Sequence, residues 1–106
     1  MSYILVLCTA EDQKQGKQIA KELVRKGLAA CVNVIPKISS VYRWEDRLIE
    51  DDEAIMLIKT KSELFEKVKD KIIDLHTYDL PEIISLEIND ANETYLNWID
   101  KETLKL

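Results

Sequence analysis

Read for its alternation of apolar and polar positions, the chain divides into seven elements with little left over. Tyr3 to Cys8 is a continuous apolar run, which predicts a strand buried on both faces. Asp12 with Gln15 three residues later marks a helix start, and Gly16, Ile19, Ala20, Leu23 and Val24 then share one helical face. Gly27 ends that helix. Leu28 to Ile35 reads as a second strand, interrupted at Pro36 by a bulge or a free edge and resumed from Ile38 to Glu45. Glu45-Asp46 is the turn into a third strand, which runs through Leu48 and Ile49, crosses the acidic block Glu50 to Glu53 and continues from Ala54 to Thr60. Ser62 caps a second helix whose stripe is Leu64, Phe65, Val68, Ile72 and Leu75, and Pro81 forbids its continuation. Glu82 to Ile88 is a fourth strand with Ile84, Leu86 and Ile88 on one face; Asn92 opens a short last helix carrying Leu96 and Ile99.

The order β-α-β-β-α-β-α predicts one domain over residues 1–106: an α+β, ferredoxin-like βαββαβ sandwich with a short C-terminal helix. Right-handed crossovers place strands one and three in the centre of the sheet. The second and third strands form a hairpin longer than a small domain needs. It carries Tyr42, Trp44, Leu48 and Ile49 into solvent and leaves a sheet face and edges to be covered. A cyclic homo-oligomer provides that cover.

Composition narrows the partners. Apolar residues make up 46% of the 106 and charged residues 33%, a globular balance. The net charge of -5 gives no basic stripe for nucleic acid. No apolar run reaches the roughly 18 residues of a membrane span. The opening residues lack the basic leader of a signal peptide, so the expected compartment is the cytoplasm, with Cys8 and Cys31 reduced.

The chemistry on offer is narrow. A nucleophilic site would need His76, the single histidine, beside a cysteine, and neither cysteine lies on a glycine-bounded elbow. An enzyme is not expected. Cys8, Cys31 and His76 are too few for a zinc cage, although a weaker site for Cu(II) or another divalent transition ion, completed by carboxylates or a neighbouring subunit, stays open. Glu50 to Glu53 lacks the spacing of a calcium loop and reads as solvated surface. What remains is aromatic and acidic: Tyr42, Trp44, Glu45, His76, Tyr78 and Glu82. That set suits either an inter-subunit pocket for a small molecule or ion, or a plain oligomer interface.

Six blocks in order, "VLCTAED", "GLAACVNVIP", "SVYRWEDRLIEDDE", "LIKTKSELFEKVKDKI", "LHTYDLPEIISLEI" and "NETYLNWI", resemble the CutA family of divalent-cation tolerance proteins. The resemblance implies a ferredoxin-like subunit assembled as a homotrimer, with hairpin strands pairing across subunits. It also implies kinship with trimeric signalling proteins that bind effectors at subunit clefts. It further implies a role in tolerance of copper and other divalent ions, with Cys8 and His76 matching the family's described copper ligands. Two positions depart from the family pattern. Thr77 stands where proline is usual, and Leu75 where some members carry a second histidine. The expected copper site is correspondingly weaker, or is completed by Glu82 or another subunit.

Overall fold

The computed structural model describes residues 2–105. The first strand, β1 (Tyr3–Ala10), leads into helix α1 (Gln13–Arg25). Asp12 caps α1: its carboxylate accepts the Gln15 amide at 2.8 Å. Gln15 reaches back to the Glu11 amide at 3.0 Å, one residue earlier than a standard capping box. At the other end Gly27 sits at φ 72°, with Leu28 N bonded to Leu23 O at 2.9 Å and Gly27 N to Val24 O at 3.0 Å. Those two bonds are a Schellman closure, and they hold Leu28 and Ala29 to the helix. The second strand therefore starts at Cys31, not at Leu28.

Strands β2 (Cys31–Trp44) and β3 (Arg47–Lys61) form the long hairpin. Ile35 faces Ile55 and Ile38 faces Glu53, so Pro36 and Lys37 together oppose Ala54 in a β-bulge. The hairpin closes on Glu45 and Asp46 at φ 51° and 64°, the backbone of a type I′ turn built without glycine. After β3 a 3-10 turn, Ser62–Leu64, feeds α2 (Phe65–Leu75); β4 (Ile83–Glu87) and α3 (Glu93–Glu102) complete the chain. Ser62 does not cap α2. Its hydroxyl bonds Ser2 and Glu63 instead, because the intervening 3-10 turn moves the helix start beyond its reach. Asn92 does cap α3, through the Thr94 amide at 3.1 Å.

The sheet is four-stranded and antiparallel in the order β2-β3-β1-β4, with β1 and β3 central as the crossovers require. One face packs on the helices: Ile4, Val6, Cys8, Met56 and Ile58 meet Ile19, Leu23, Val68 and Ile72 in the core. Gly16 makes that packing close, since a Cβ there would lie 3.0 Å from Val34 Cγ1. The other face is a correction to the reading of β1 as buried on both sides. Leu5 and Leu7 are only half covered, because α1 and α2 both lie against the opposite face. Registers place Leu7 beside Leu57 and Ile84, so the apolar alternation of β4 points to this open face. Ile35, Ile84 and Leu86 remain 42%, 46% and 47% exposed. Lys61 on the same face is buried and bonds Asp100 of α3 at 3.1 Å, so α3 covers that end of the sheet alone.

The hairpin also outruns its neighbours. β1 pairs with β3 only from Ala54 to Lys61, which leaves the Arg47–Glu53 edge without a ladder partner within the subunit. An apolar face and a free strand edge on one molecule are the two features that strand-to-strand association removes.

Candidate functional site

His76 is fixed where sheet pairing ends. The last β1–β4 pair is Cys8 with Ile83, so the Thr9 carbonyl projects past the start of β4. His76, the C-cap of α2, supplies its partner: ring Nε2 lies 2.7 Å from Thr9 O. The Tyr78 amide donates to ring Nδ1 at 3.0 Å. An N–H donor at Nδ1 makes that nitrogen the acceptor, so the proton sits on Nε2 and is donated to Thr9. Both ring nitrogens are occupied within the chain. The Tyr78 ring packs on the imidazole with centroids 4.6 Å apart.

Thr77 ties the same loop to α1. It donates to Glu11 at 2.8 Å and accepts from Gln15 Nε2 at 2.8 Å. The loop that lacks proline at this position is thus held by side-chain hydrogen bonds to the helix N-terminus.

Cys8 lies in the core with no exposed surface, its Sγ 3.5 Å from Thr9 O. Burial, reinforced by the Glu82 charge, pushes its thiol up to about 12. A thiol so placed is protonated at neutral pH, whereas metals take the thiolate. Cys8 and His76 therefore come to one carbonyl, but neither offers a free donor. Cys31, the other thiol, is half-buried and free. Among the described residues no three His, Cys, Asp or Glu side chains converge on a point where an ion could sit. The residues present do not fit a resident copper ion in this conformation.

A cavity of about 560 Å³ opens where the hairpin leaves the body, between its arms and the loop after His76. Tyr42, Trp44, Tyr78 and Glu82 line it, together with Glu53 and Asp79. Of the residues grouped in the sequence, these four come together. Glu45 does not join them, because it occupies the tip of the turn. His76 lies behind Tyr78, bonded to Thr9.

Glu53 was missed. The acidic run reads as solvated surface, and Asp51 and Asp52 are exposed, but Glu53 retains only 7% of its surface. It directly precedes Ala54, where β3 takes up its pairing with β1, and it faces Ile38 next to the bulge. The Tyr78 hydroxyl donates to Glu53 Oε2 at 2.7 Å. Burial first, then that carboxylate, holds the Tyr78 phenol well above the usual tyrosine range. The available signal was parity: counting back in twos from Ile55 puts Glu53 on the same sheet face, beside the start of regular pairing.

Comparison with known proteins places this architecture. The model of the CutA1 divalent ion tolerance protein family matches residues 4–102. The chain belongs to the CutA1 divalent ion tolerance family. It is similar to the divalent-cation tolerance protein CutA of Thermus thermophilus, 41% identical over 99 residues, covering 93% of this chain and 96% of that protein. Human protein CutA is 41% identical over 95 residues; the match takes in 90% of this chain but only 53% of the human protein. The chain spans about half the length of such longer relatives. Among solved structures, CutA1 from Oryza sativa superposes with a TM-score of 0.97 at 36% identity, covering 100% of this chain and 97% of that one. CutA from Archaeoglobus fulgidus, described as a periplasmic divalent cation tolerance protein, gives 0.92 at 35% identity, covering 94% and 97%. The names of the Thermus thermophilus and Archaeoglobus fulgidus relatives describe tolerance, and none of the four names a reaction. Among the described residues no helix is long and apolar enough to cross a membrane.

Proposed function

We propose that this chain is a non-catalytic, cytoplasmic homotrimer of the divalent-ion tolerance response, and that the cleft at the base of its hairpin is the part that responds to a ligand. The observation that carries the reading is the pairing of that cleft with an uncovered apolar sheet face on one subunit. Three such faces meeting about a three-fold axis bury Leu7, Leu57, Ile84 and Leu86, and the free Arg47–Glu53 edge finds a partner strand in the neighbouring copy. The free thiols Cys8 and Cys31 suit a reducing compartment.

Multi-angle light scattering at micromolar concentration tests the assembly, with three subunits expected and a monomer contradicting it. Trp44 fluorescence in a Trp98→Phe background tests the cleft. A ligand that binds there shifts the emission, and an emission unmoved across ions and metabolites contradicts the reading.

One geometric feature supports a second reading. His76 Nδ1 carries the lone pair, and the residue is half-buried rather than sealed. A Cu(II) ion binds there weakly if the loop opens and Tyr78 N–H is released. Calorimetry of copper binding in wild type and His76→Ala decides it: equal stoichiometry and affinity remove His76 from any ion site.

A further inference from the structure

The ligand class of the cleft follows from one carboxylate. Glu53 is more than nine-tenths buried, lines the cavity and forms no ion pair among the described residues. Its neighbour Asp52 takes Lys37, at 3.6 Å. One Glu53 oxygen is satisfied by the Tyr78 hydroxyl, which is neutral. Buried charges in proteins are paired, and a hydroxyl bonds a carboxylate without cancelling its charge. The wall adds Asp79 and Glu82 against a single cation, Arg43. The cavity therefore favours a positive occupant.

Two observations decide what kind of cation. A metal ion needs several converging hard or soft donors, and no three acidic, histidine or cysteine side chains converge among the described residues. The space is about 560 Å³, in the range of small-molecule sites and far larger than an ion requires. The remaining wall is aromatic, from Tyr42, Trp44 and Tyr78. Aromatic faces attract organic ammonium groups, and the rings also take up the apolar stem that such a ligand carries and a metal ion lacks.

We infer that the cleft binds a small organic ammonium compound, with an N–H of the ammonium donated to Glu53 and its alkyl part laid against Trp44 and Tyr42. This rests on the reading of the cleft as a ligand-responsive site and names its ligand class. A cation seated on Glu53 leaves the Tyr78–Glu53 bond in place, and that bond ties the hairpin base to the loop that His76 anchors.

The test is calorimetric titration of the assembled protein with putrescine, at fixed ionic strength. Wild type binds one putrescine per subunit, saturably. Glu53→Gln keeps the oligomeric state and the circular dichroism spectrum but binds at least about tenfold more weakly, the size of one lost charge-assisted contact. Trp44→Leu weakens binding about threefold, as expected for a partly exposed cation–π contact. Glu102→Gln, which changes net charge equally on the exposed face of α3, leaves affinity unchanged. Equal affinity in wild type and Glu53→Gln overturns the inference. So does displacement of putrescine by an equal concentration of Mg²⁺, which would mark simple counter-ion attraction. So does a lysine or arginine of a neighbouring copy found on Glu53 in a crystal of the assembly. If putrescine fails while Trp44 still reports another ligand on an intact trimer, this inference falls and the cleft reading stands. Trp44 emission unmoved by putrescine and by every other ion and metabolite removes the cleft reading itself.

Discussion

Replacing His76 with alanine should destabilise the protein in the complete absence of metal. The substitution removes the partner of the Thr9 carbonyl, 2.7 Å away, and of the Tyr78 amide, 3.0 Å away. Each bond contributes about 1 kcal/mol net, and an orphaned buried group costs about 1–3 kcal/mol. The tilted contact with the Tyr78 ring adds about 0.5 kcal/mol. His76 is half-buried, so water recovers part of the loss, and the expected destabilisation is about 2 kcal/mol. Urea unfolding in excess EDTA, at equal subunit concentrations so that any association contributes equally, measures it. The midpoint should fall by about 1 M, given a slope of about 1–3 kcal/mol per molar for a small protein. His76→Gln, which returns a donor toward Thr9, should recover part of the loss. A change under about 0.5 kcal/mol in EDTA, with a large one only after copper is added, would refute the architectural account of this ring.

Four further outcomes follow from the same geometry. In the native protein iodoacetamide should label Cys31 and spare Cys8 up to about pH 9, since the Cys8 thiol titrates near 12 and is sealed in the core; mass spectrometry of the tryptic peptides reads this, and rapid labelling of Cys8 contradicts it. Gly27→Ala should destabilise by about 1–2 kcal/mol in urea unfolding, because it adds a Cβ at φ 72°, 3.2 Å from Leu104 Cγ; a neutral effect contradicts the Schellman closure. Changing Glu45-Asp46 to Asn-Gly should raise stability by about 1 kcal/mol, by placing residues that favour positive φ in the turn; a loss of stability argues against the type I′ geometry. Ile84→Lys, a charge on the open face, should shift light-scattering mass from trimer to monomer while the subunit's circular dichroism is kept; an unchanged mass removes that face from the interface.

The path of the backbone was legible in the sequence because its signals are local. Asp12, Gly27, Pro36 and Asn92 each act on the backbone within a few residues, and each does in the structure what its type dictates. Strand order followed from the crossover rule and the element order alone. What was lost depended on which face a residue meets. Tyr3 to Cys8 is apolar throughout, and nothing local says that Leu5 and Leu7 lie on the sheet face that α1 and α2 leave open. Ser62 has the chemistry of a cap, yet a three-residue turn diverts it. Glu53 hides in a run of acids and is buried by Tyr78, 25 positions along the chain. His76 could be recognised as the one imidazole available, but its employment by Thr9 arises from long-range pairing that leaves the Thr9 carbonyl past the last β4 pair. Residue type named the donors; only the fold shows which are already occupied.

Copper-edge anomalous diffraction from crystals of the assembled protein soaked in Cu(II) tests the central claim most directly, namely that Cys8 and His76 are parts of the architecture and the cleft is the working site. The account predicts no ordered anomalous peak between Cys8 Sγ and the His76 ring, with Nε2 still on Thr9 O and Nδ1 still accepting from Tyr78. A fully occupied copper ion ligated by Cys8 Sγ and His76 would contradict it.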